Sequence, residues 1–373
     1  MSNAYTHVQW NRHKRVYDAC VAGAVVALVG GVFVVGKLTW RGDHAISSEV
    51  LLIRSLAVCA IVLLHVVLCI GPLARLSHQF SPLLYNRRHL GVTMFLVALA
   101  HATLAVLYYG GFSGRNPLVA VLGAGSFRAV SAFPFEWLGL FALLVLFLMA
   151  ATSHDFWLKN LGAKAWKWLH MGVYAAYAAI TLHVVLGAFQ SERHIVPVAA
   201  LFTGAAVIGV LHAVTGYRER KKDAQAASAT DGWVDAAGVD EISEARAKVV
   251  CIAGQERIAV FRFNDAFSAI SNVCAHQGGP LGEGKVVGGC VTCPWHGYQY
   301  LPQNGQSPPP YTEKVPTYEV RVRGDRVEVR ASALPAGTPV EPAKRSCSKA
   351  EAARCLTVAA VAGVAARGGT SHG

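Results

Sequence analysis

Two Cys–His pairs carry the strongest chemistry in this chain. Cys274-x-His276 and Cys293-x-x-His296 are separated by residues 277–292, and each lies in a stretch punctuated by Gly and Pro, C-A-H-Q-G-G-P-L-G-E-G and C-P-W-H-G. Two thiolates on one iron and two imidazoles on the other make the ligand set of a mixed [2Fe–2S] cluster. Imidazole is neutral where thiolate is anionic, so this ligation raises the reduction potential above that of an all-cysteine cluster. A zinc site uses the same donors, but the spacing within the pairs is not zinc's usual one. Cys274, His276, Cys293 and His296 are therefore read as cluster ligands. Cys290, three residues before a ligand and flanked by strand-like residues, reads as inert core. Nine cysteines with no framework spacing argue against a secreted disulfide scaffold.

The second set of chemical residues lies in apolar sequence. At 53% hydrophobic and 15% charged, 373 residues are too apolar for an ordinary soluble pair of domains. Six stretches of spanning length occur, at about 17–38, 50–70, 90–109, 136–152, 168–190 and 195–216. Histidines inside spans are costly and are functional candidates by default; here they are His65, His101, His170, His183 and His212. His101 and His183 lie about 17 and 22 Å from the starts of their helices at 1.5 Å per residue, so they can meet at one level and clamp an iron. His170 precedes His183 by about 20 Å of helix, comparable to the spacing of two stacked haems. Their rings diverge by about 140° on an ideal helix, so a bend is needed, and Gly172 and Gly187 lie nearby.

The elements that position these residues follow from charge and periodicity. Thirteen Lys and Arg fall on one side of the spans: Arg12, Lys14 and Arg15; Arg75, Arg87 and Arg88; Lys159, Lys164 and Lys167; and Arg218, Arg220, Lys221 and Lys222. Six fall on the other, so both termini are expected in the cytoplasm. The net charge of +12 is thereby explained as membrane topology, and no nucleic-acid partner is expected. The first span has no small-residue cleavage site and is expected to be retained. After residue 233 the pattern alternates in short strand-like runs at 248–252, 257–263, 267–271, 317–323 and 326–330. The expected organisation is α + β and multidomain. It comprises a cytoplasmic tail 1–16, a six-helix transmembrane bundle 17–216, a largely helical or flexible linker 217–232, a small all-β domain 233–332 and a disordered Ala/Gly/Pro-rich tail 333–373.

Residues 233–331, with both Cys–His pairs, the Gly-Pro loop and C-P-W-H-G-Y in order, resemble a bacterial Rieske ferredoxin domain. In the respiratory Rieske kind each cluster loop carries an extra, disulfide-linked Cys; the matching places here are Gly279 and Trp295. The hydroxyl that donates to a cluster sulfur in that kind is replaced by Tyr298, with Tyr300 at the place of a second donor. The resemblance, with fewer hydrogen bonds to sulfur, implies a low-to-intermediate potential. The runs R-R-H-L-G, A-T-S-H-D-F-W and W-K-W-L-H, over about residues 50–190, resemble the ferric reductase-like transmembrane family. Within it they are most like the haem-binding membrane subunit of the bacterial periplasmic methionine sulfoxide reductase system. The resemblance implies that His101, His170 and His183 are haem b axial ligands in one or two haems. A fourth ligand is open among His65, His89 and His212. Family members with flavin and nicotinamide domains continue after the sixth helix; here the Rieske domain takes that place. The run G-A-G-S-F-R at 123–128 lacks the third Gly and the strand–helix setting of a dinucleotide site and reads as a turn.

The expected function is electron transfer in a bacterial inner membrane. A cytosolic donor is expected at the cluster, and an outer-face acceptor protein or quinone beyond the haem, with either direction compatible with the motifs. An oxygenase needs a 2-His-1-carboxylate iron site in the same domain, and only His372 follows the cluster. A redox sensor or assembly factor, without transmembrane electron delivery, is the alternative.

Overall fold

The structure, a computed structural model, describes residues 12–345 except 43–44, 112–113, 124, 126–132, 154–162, 188, 190–194, 225–228, 253, 277 and 296. The membrane half consists of helices α1 (Arg12–Thr39), α2 (Ser48–Leu76), α3 (Ser81–Gly110), α4 (Pro117–Leu122), α5 (Glu136–Ala151), α6 (Ala163–Leu186) and α7 (Ile195–Ala224). Five of these, α1, α2, α3, α6 and α7, are long and apolar enough to cross a membrane. The fourth expected span is α5, a helix of 16 residues, or about 24 Å against a hydrocarbon layer of about 30 Å. It ends where Thr152 and Ser153 turn their hydroxyls back onto the carbonyls of Leu148 and Met149.

Local chemistry sets the helix starts. Ser47 caps α2 by accepting from the Val50 N–H, and Glu49 lies in the first turn, where the helix dipole favours an anion. Pro82 opens α3, where its missing N–H removes nothing from the ladder. α2 is central, packed on α1, α3 and α7, while α5 packs on α6 and α3. The bundle core joins Leu64 and Leu68 of α2, Met94 and Phe95 of α3, Leu146 of α5, Ala176 of α6 and Ile208 of α7. Val26, Leu96, Phe147 and Val210 point outward, as expected where lipid is the solvent. α1 is peripheral; Asp18 ties it to His89 of α3 at 2.9 Å.

Among the described residues the β half contains eleven strands in three sheets. One is ordered β1 (Trp233–Gly238), β10 (Arg326–Arg330), β9 (Val320–Arg323). A second is ordered β11 (Ala343–Lys344), β4 (Ala266–Ser271), β3 (Ile258–Phe263), β2 (Ala247–Val250), with β8 (Thr317–Tyr318) also on β4. The third, β5 (Lys285–Val287), β6 (Cys290–Thr292), β7 (Gln299–Tyr300), is the smallest and carries the Cys–His loops. β3 is buried along most of its length and holds two cores apart: Ile258 and Val260 enter one with Phe267, Ala259 and Phe261 enter the other with Cys274 and Cys293. Each such large side chain stabilises the fold by about 1.5–3 kcal/mol through burial.

α7 runs on to Ala224, the helical form of the first part of the expected linker. One boundary differs from the sequence expectation. Residues 333–345, expected as disordered tail, instead pack on the β domain. Leu334 N–H donates to Thr317, Val340 N–H donates to Gln303, and β11 pairs with Phe267 and Ala266. Their Pro/Gly-rich composition hid a strand that covers an otherwise open sheet edge. Residues 346–373 lie outside the described residues.

Candidate functional site

The two Cys–His loops are built alike. Cys274 N–H donates to Gly279 O at 2.9 Å and its carbonyl accepts from Gly278 N–H at 2.7 Å. Cys293 N–H donates to Tyr298 O at 2.7 Å and its carbonyl accepts from Gly297 N–H at 2.9 Å. Both closures place a glycine at the fourth residue after Cys with positive φ, +73° at Gly278 and +72° at Gly297, a backbone that L side chains rarely adopt. The result is a pair of matched knuckles, each presenting one thiol toward the shared core, with Cys274 and Cys293 both 1% exposed. Asn272 anchors the first loop: its side chain accepts from Gly282 N–H at 2.7 Å and its carbonyl from Leu281 N–H at 2.8 Å.

Around the thiols the packing is close. A Cβ on Gly279 would lie 2.7 Å from Cys293 Sγ and 3.1 Å from the Trp295 indole, so only glycine fits between them. The positions that carry a disulfide in the respiratory kind are thus in contact here, with a glycine lying against an indole. Tyr300, fully buried, places its hydroxyl 3.3 Å from Cys274 Sγ and accepts from His276 N–H at 3.3 Å. Burial and the neighbouring thiols push the Tyr300 phenol well above its ordinary range, so it stays protonated and donates to sulfur. Tyr298 takes a different part: its ring stacks on the His276 imidazole at 4.5 Å and 9°, and its hydroxyl donates to Glu313. Cys290 is buried in β6, and burial pushes its thiol up, as expected of inert core.

Cys274 and Cys293 share one core, His276 borders it through Tyr300 and Tyr298, and His296 lies outside the described residues. Among the described residues no group of three His, Cys, Asp or Glu gathers about one point. A two-iron centre gives each iron only two protein ligands, with sulfides completing the set, so such a group is not required.

In the bundle, His101, His170 and His183 share one arrangement. Each Nδ1–H donates to a backbone carbonyl: His101 to Ile53 at 3.0 Å, His170 to Trp166 at 3.0 Å, His183 to Phe135 at 2.9 Å. That bond fixes the tautomer with the lone pair on Nε2, the second-shell arrangement typical of a metal-bound imidazole. His101 takes its carbonyl from α2 and His183 from the residue before α5. Gly139 of α5 lies against the second of these rings, where a Cβ would be 2.9 Å from His183 Cε1 and Nδ1. The remaining histidines are held otherwise. His65 Nε2 meets the Tyr177 hydroxyl at 3.1 Å and His212 Nε2 meets the Tyr174 hydroxyl at 3.0 Å, while each Nδ1 faces a carbonyl one turn back. His89 pairs with Asp18.

One end of the bundle carries the β domain. Arg75, at the end of α2, reaches Glu283 just after the first cluster loop at 3.4 Å. Arg257, before β3, bonds Glu219 and, at 2.8 Å, Asp223 on the last turns of α7. Trp166 of α6 faces Trp295 of the second cluster loop, ring centroids 6.2 Å apart. Trp166 and Glu283 lie inside the quoted runs W-K-W-L-H and C-A-H-Q-G-G-P-L-G-E-G but were given no role of their own, and Arg257 lies in neither. The available signal was the i, i+4 spacing of Trp166 and His170, which places them on one helix face.

Comparison with known proteins agrees with both halves. Residues 232–319 match the family model of the Rieske [2Fe-2S] domain, and residues 56–181 match that of the ferric reductase like transmembrane component. The anthranilate 1,2-dioxygenase ferredoxin subunit of Burkholderia cepacia is 37% identical over 98 residues, 26% of this chain and 90% of the relative. The protein-methionine-sulfoxide reductase heme-binding subunit MsrQ of Herminiimonas arsenicoxydans is 31% identical over 167 residues, 44% of this chain and 70% of the relative. The ferredoxin component of a naphthalene 1,2-dioxygenase system of Pseudomonas aeruginosa is 29% identical over 104 residues, 28% of this chain and 99% of the relative. The chain therefore belongs to two families at once, a ferric reductase-like transmembrane domain continued into a Rieske [2Fe–2S] domain, and its role is electron transfer at a membrane.

Proposed function

We propose that this protein moves single electrons from a cytosolic donor to an acceptor at the outer face or to quinone. Its cofactors are a [2Fe–2S] cluster held by Cys274, His276, Cys293 and His296 and b-type haem held by His101, His170 and His183. When bound, these groups supply reversible one-electron redox changes at iron; the protein supplies position, burial and hydrogen bonds. The observation that carries the reading is the seating of the Rieske head on the His170 end of the bundle, through Arg75–Glu283 and Arg257 with Glu219 and Asp223.

Each residue then has a defined task. Cys274 and Cys293 are kept dry in the core shared with Phe261 and Tyr300, which limits water at the metal and lowers the local dielectric. Tyr300 donates to Cys274 Sγ, and Tyr298 holds the His276 ring by stacking. In the bundle, Ile53, Trp166 and Phe135 hold three imidazoles by their Nδ1–H, presenting Nε2 as the ligating atom. The excess of basic residues on the side bearing the Rieske head supports a cytoplasmic head.

The test is the visible spectrum and the iron-to-haem ratio of purified protein, with His101, His170 and His183 each changed to Ala. Haem absorbance in the wild type that falls in each variant supports the assignment. A wild type with no haem absorbance overturns the membrane half of the reading.

A further inference from the structure

We infer that Trp166 and Trp295 are the electronic bridge between the cluster site and the haem site at His170. The inference rests on the proposed cofactors and adds the path between them.

Trp295 stands between two cluster ligands in sequence, Cys293 and His296. A Cβ on Gly279 would meet both the Trp295 indole, at 3.1 Å, and Cys293 Sγ, at 2.7 Å, so the glycine lies between ring and thiol. On the other side of the domain boundary, Trp166 is bound twice to His170. Its ring stacks on the imidazole at 3.6 Å and 24°, and its carbonyl accepts the Nδ1–H at 3.0 Å. The two indoles face each other at 6.2 Å and 39°. From Gly279, which lies between Cys293 Sγ and the Trp295 indole, a run of three rings thus leads to His170. The ion pairs across the same boundary, Arg75–Glu283 and Arg257 with Glu219 and Asp223, hold the head without involving a histidine.

The bland alternative is that Trp166 is an interfacial anchor, since tryptophans collect at membrane surfaces. Its neighbour shows what an anchor looks like: Trp168 is 80% exposed, whereas Trp166 is 5% exposed and turned onto a histidine and a second indole. The transfer is of one electron. With both groups bound, the cluster held by Cys274, His276, Cys293 and His296 would lose it and the haem iron held by His170 would gain it, with neither indole oxidised or losing a proton.

The experiment uses the full-length holoprotein with Trp295→Leu, Trp295→Phe, Trp166→Leu and Trp166→Phe. Two quantities are read: the rate at which haem is reduced after rapid reduction of the cluster, and the enhancement of cluster spin relaxation by ferric haem, which reports their distance. The inference expects an order-of-magnitude fall in rate for both Leu variants and a smaller one for Phe, with unchanged relaxation enhancement. Unchanged rates in variants that keep full cluster and haem overturn the bridge and leave the proposed function standing. A rate that falls together with the relaxation enhancement makes the pair a docking contact and also overturns the bridge. Should Trp166→Leu lose its haem, Trp295→Leu, remote from the haem ligand, decides. A wild type without haem removes the proposed function and the bridge together.

Discussion

Replacing Tyr300 by Phe removes one oxygen from the centre of the cluster core and little else, because the ring is fully buried and its volume is kept. That oxygen has two roles: it donates to Cys274 Sγ at 3.3 Å and accepts from His276 N–H at 3.3 Å. A hydrogen bond to a charged acceptor contributes about 1.5–3 kcal/mol. The sulfur carries more negative charge after reduction, and we take about 1 kcal/mol of that range as the difference between the two states. For one electron a factor of ten, about 1.4 kcal/mol, corresponds to 59 mV, so the variant potential should fall by about 40 mV. The starting value should lie in the lower part of the about −150 to +300 mV span of Rieske centres, because the Tyr298 hydroxyl serves Glu313 and not a sulfur. A redox titration followed by electron paramagnetic resonance measures both. An unchanged or raised potential in Tyr300→Phe, with cluster content intact, refutes the donor role; a wild-type value near the top of the span refutes the low-potential reading.

Three further substitutions probe other parts of the account. Gly279→Ala puts a Cβ 2.7 Å from Cys293 Sγ, and overpacking of this kind costs about 1–3 kcal/mol; iron analysis should find the cluster largely lost, and full occupancy would contradict the close fit. Gly139→Ala should gain about 1 kcal/mol in helix propensity, yet its Cβ meets the His183 ring at 2.9 Å, so haem absorbance should drop while helicity by circular dichroism holds. Normal haem content in that variant would separate His183 from the haem. Burial pushes the Glu283 carboxyl above its ordinary range even with Arg75 beside it. A raised acid pKa stabilises the fold most below the usual carboxylate value and loses that contribution as pH rises through the shifted one. Denaturation of the wild type should therefore show a stability decrement with rising pH just above pH 4.5 that Glu283→Gln abolishes, and an identical pH profile in the two proteins would count against it.

Much of this was legible locally. The Cys–His spacing and the Gly at the fourth place after each Cys are contained in five or six residues, so the ligand loops could be read without tertiary information. Strands β3, β4 and β10 fell within a residue of the expected runs; in β10 burial on one face writes a period of two into the sequence, while β3, buried on both faces, shows as a short apolar run. The short fourth helix was less visible, since an apolar run does not show where hydroxyls at Thr152 and Ser153 will close it. Long-range partners were not legible at all. His170 finds its carbonyl one turn away, but His101 and His183 take theirs from Ile53 and Phe135, each 48 residues distant. Arg75 and Glu283 stand 208 residues apart. The tail was misread for the same reason: residues 343–344 are a strand only because Phe267 and Ala266 offer them an edge.

The central claim is that electrons entering at Cys274–His296 leave through the bundle. It is tested most directly in liposomes carrying the full-length protein, with reductant supplied on the side of the Rieske head and an impermeant acceptor enclosed on the other. The account predicts reduction of the cluster, then of haem, then of the enclosed acceptor, with all three lost in Cys274→Ser and delivery to the acceptor lost in His101→Ala. Cluster reduction with haem and acceptor both left oxidised in the wild type would contradict it and mark the protein as a redox sensor.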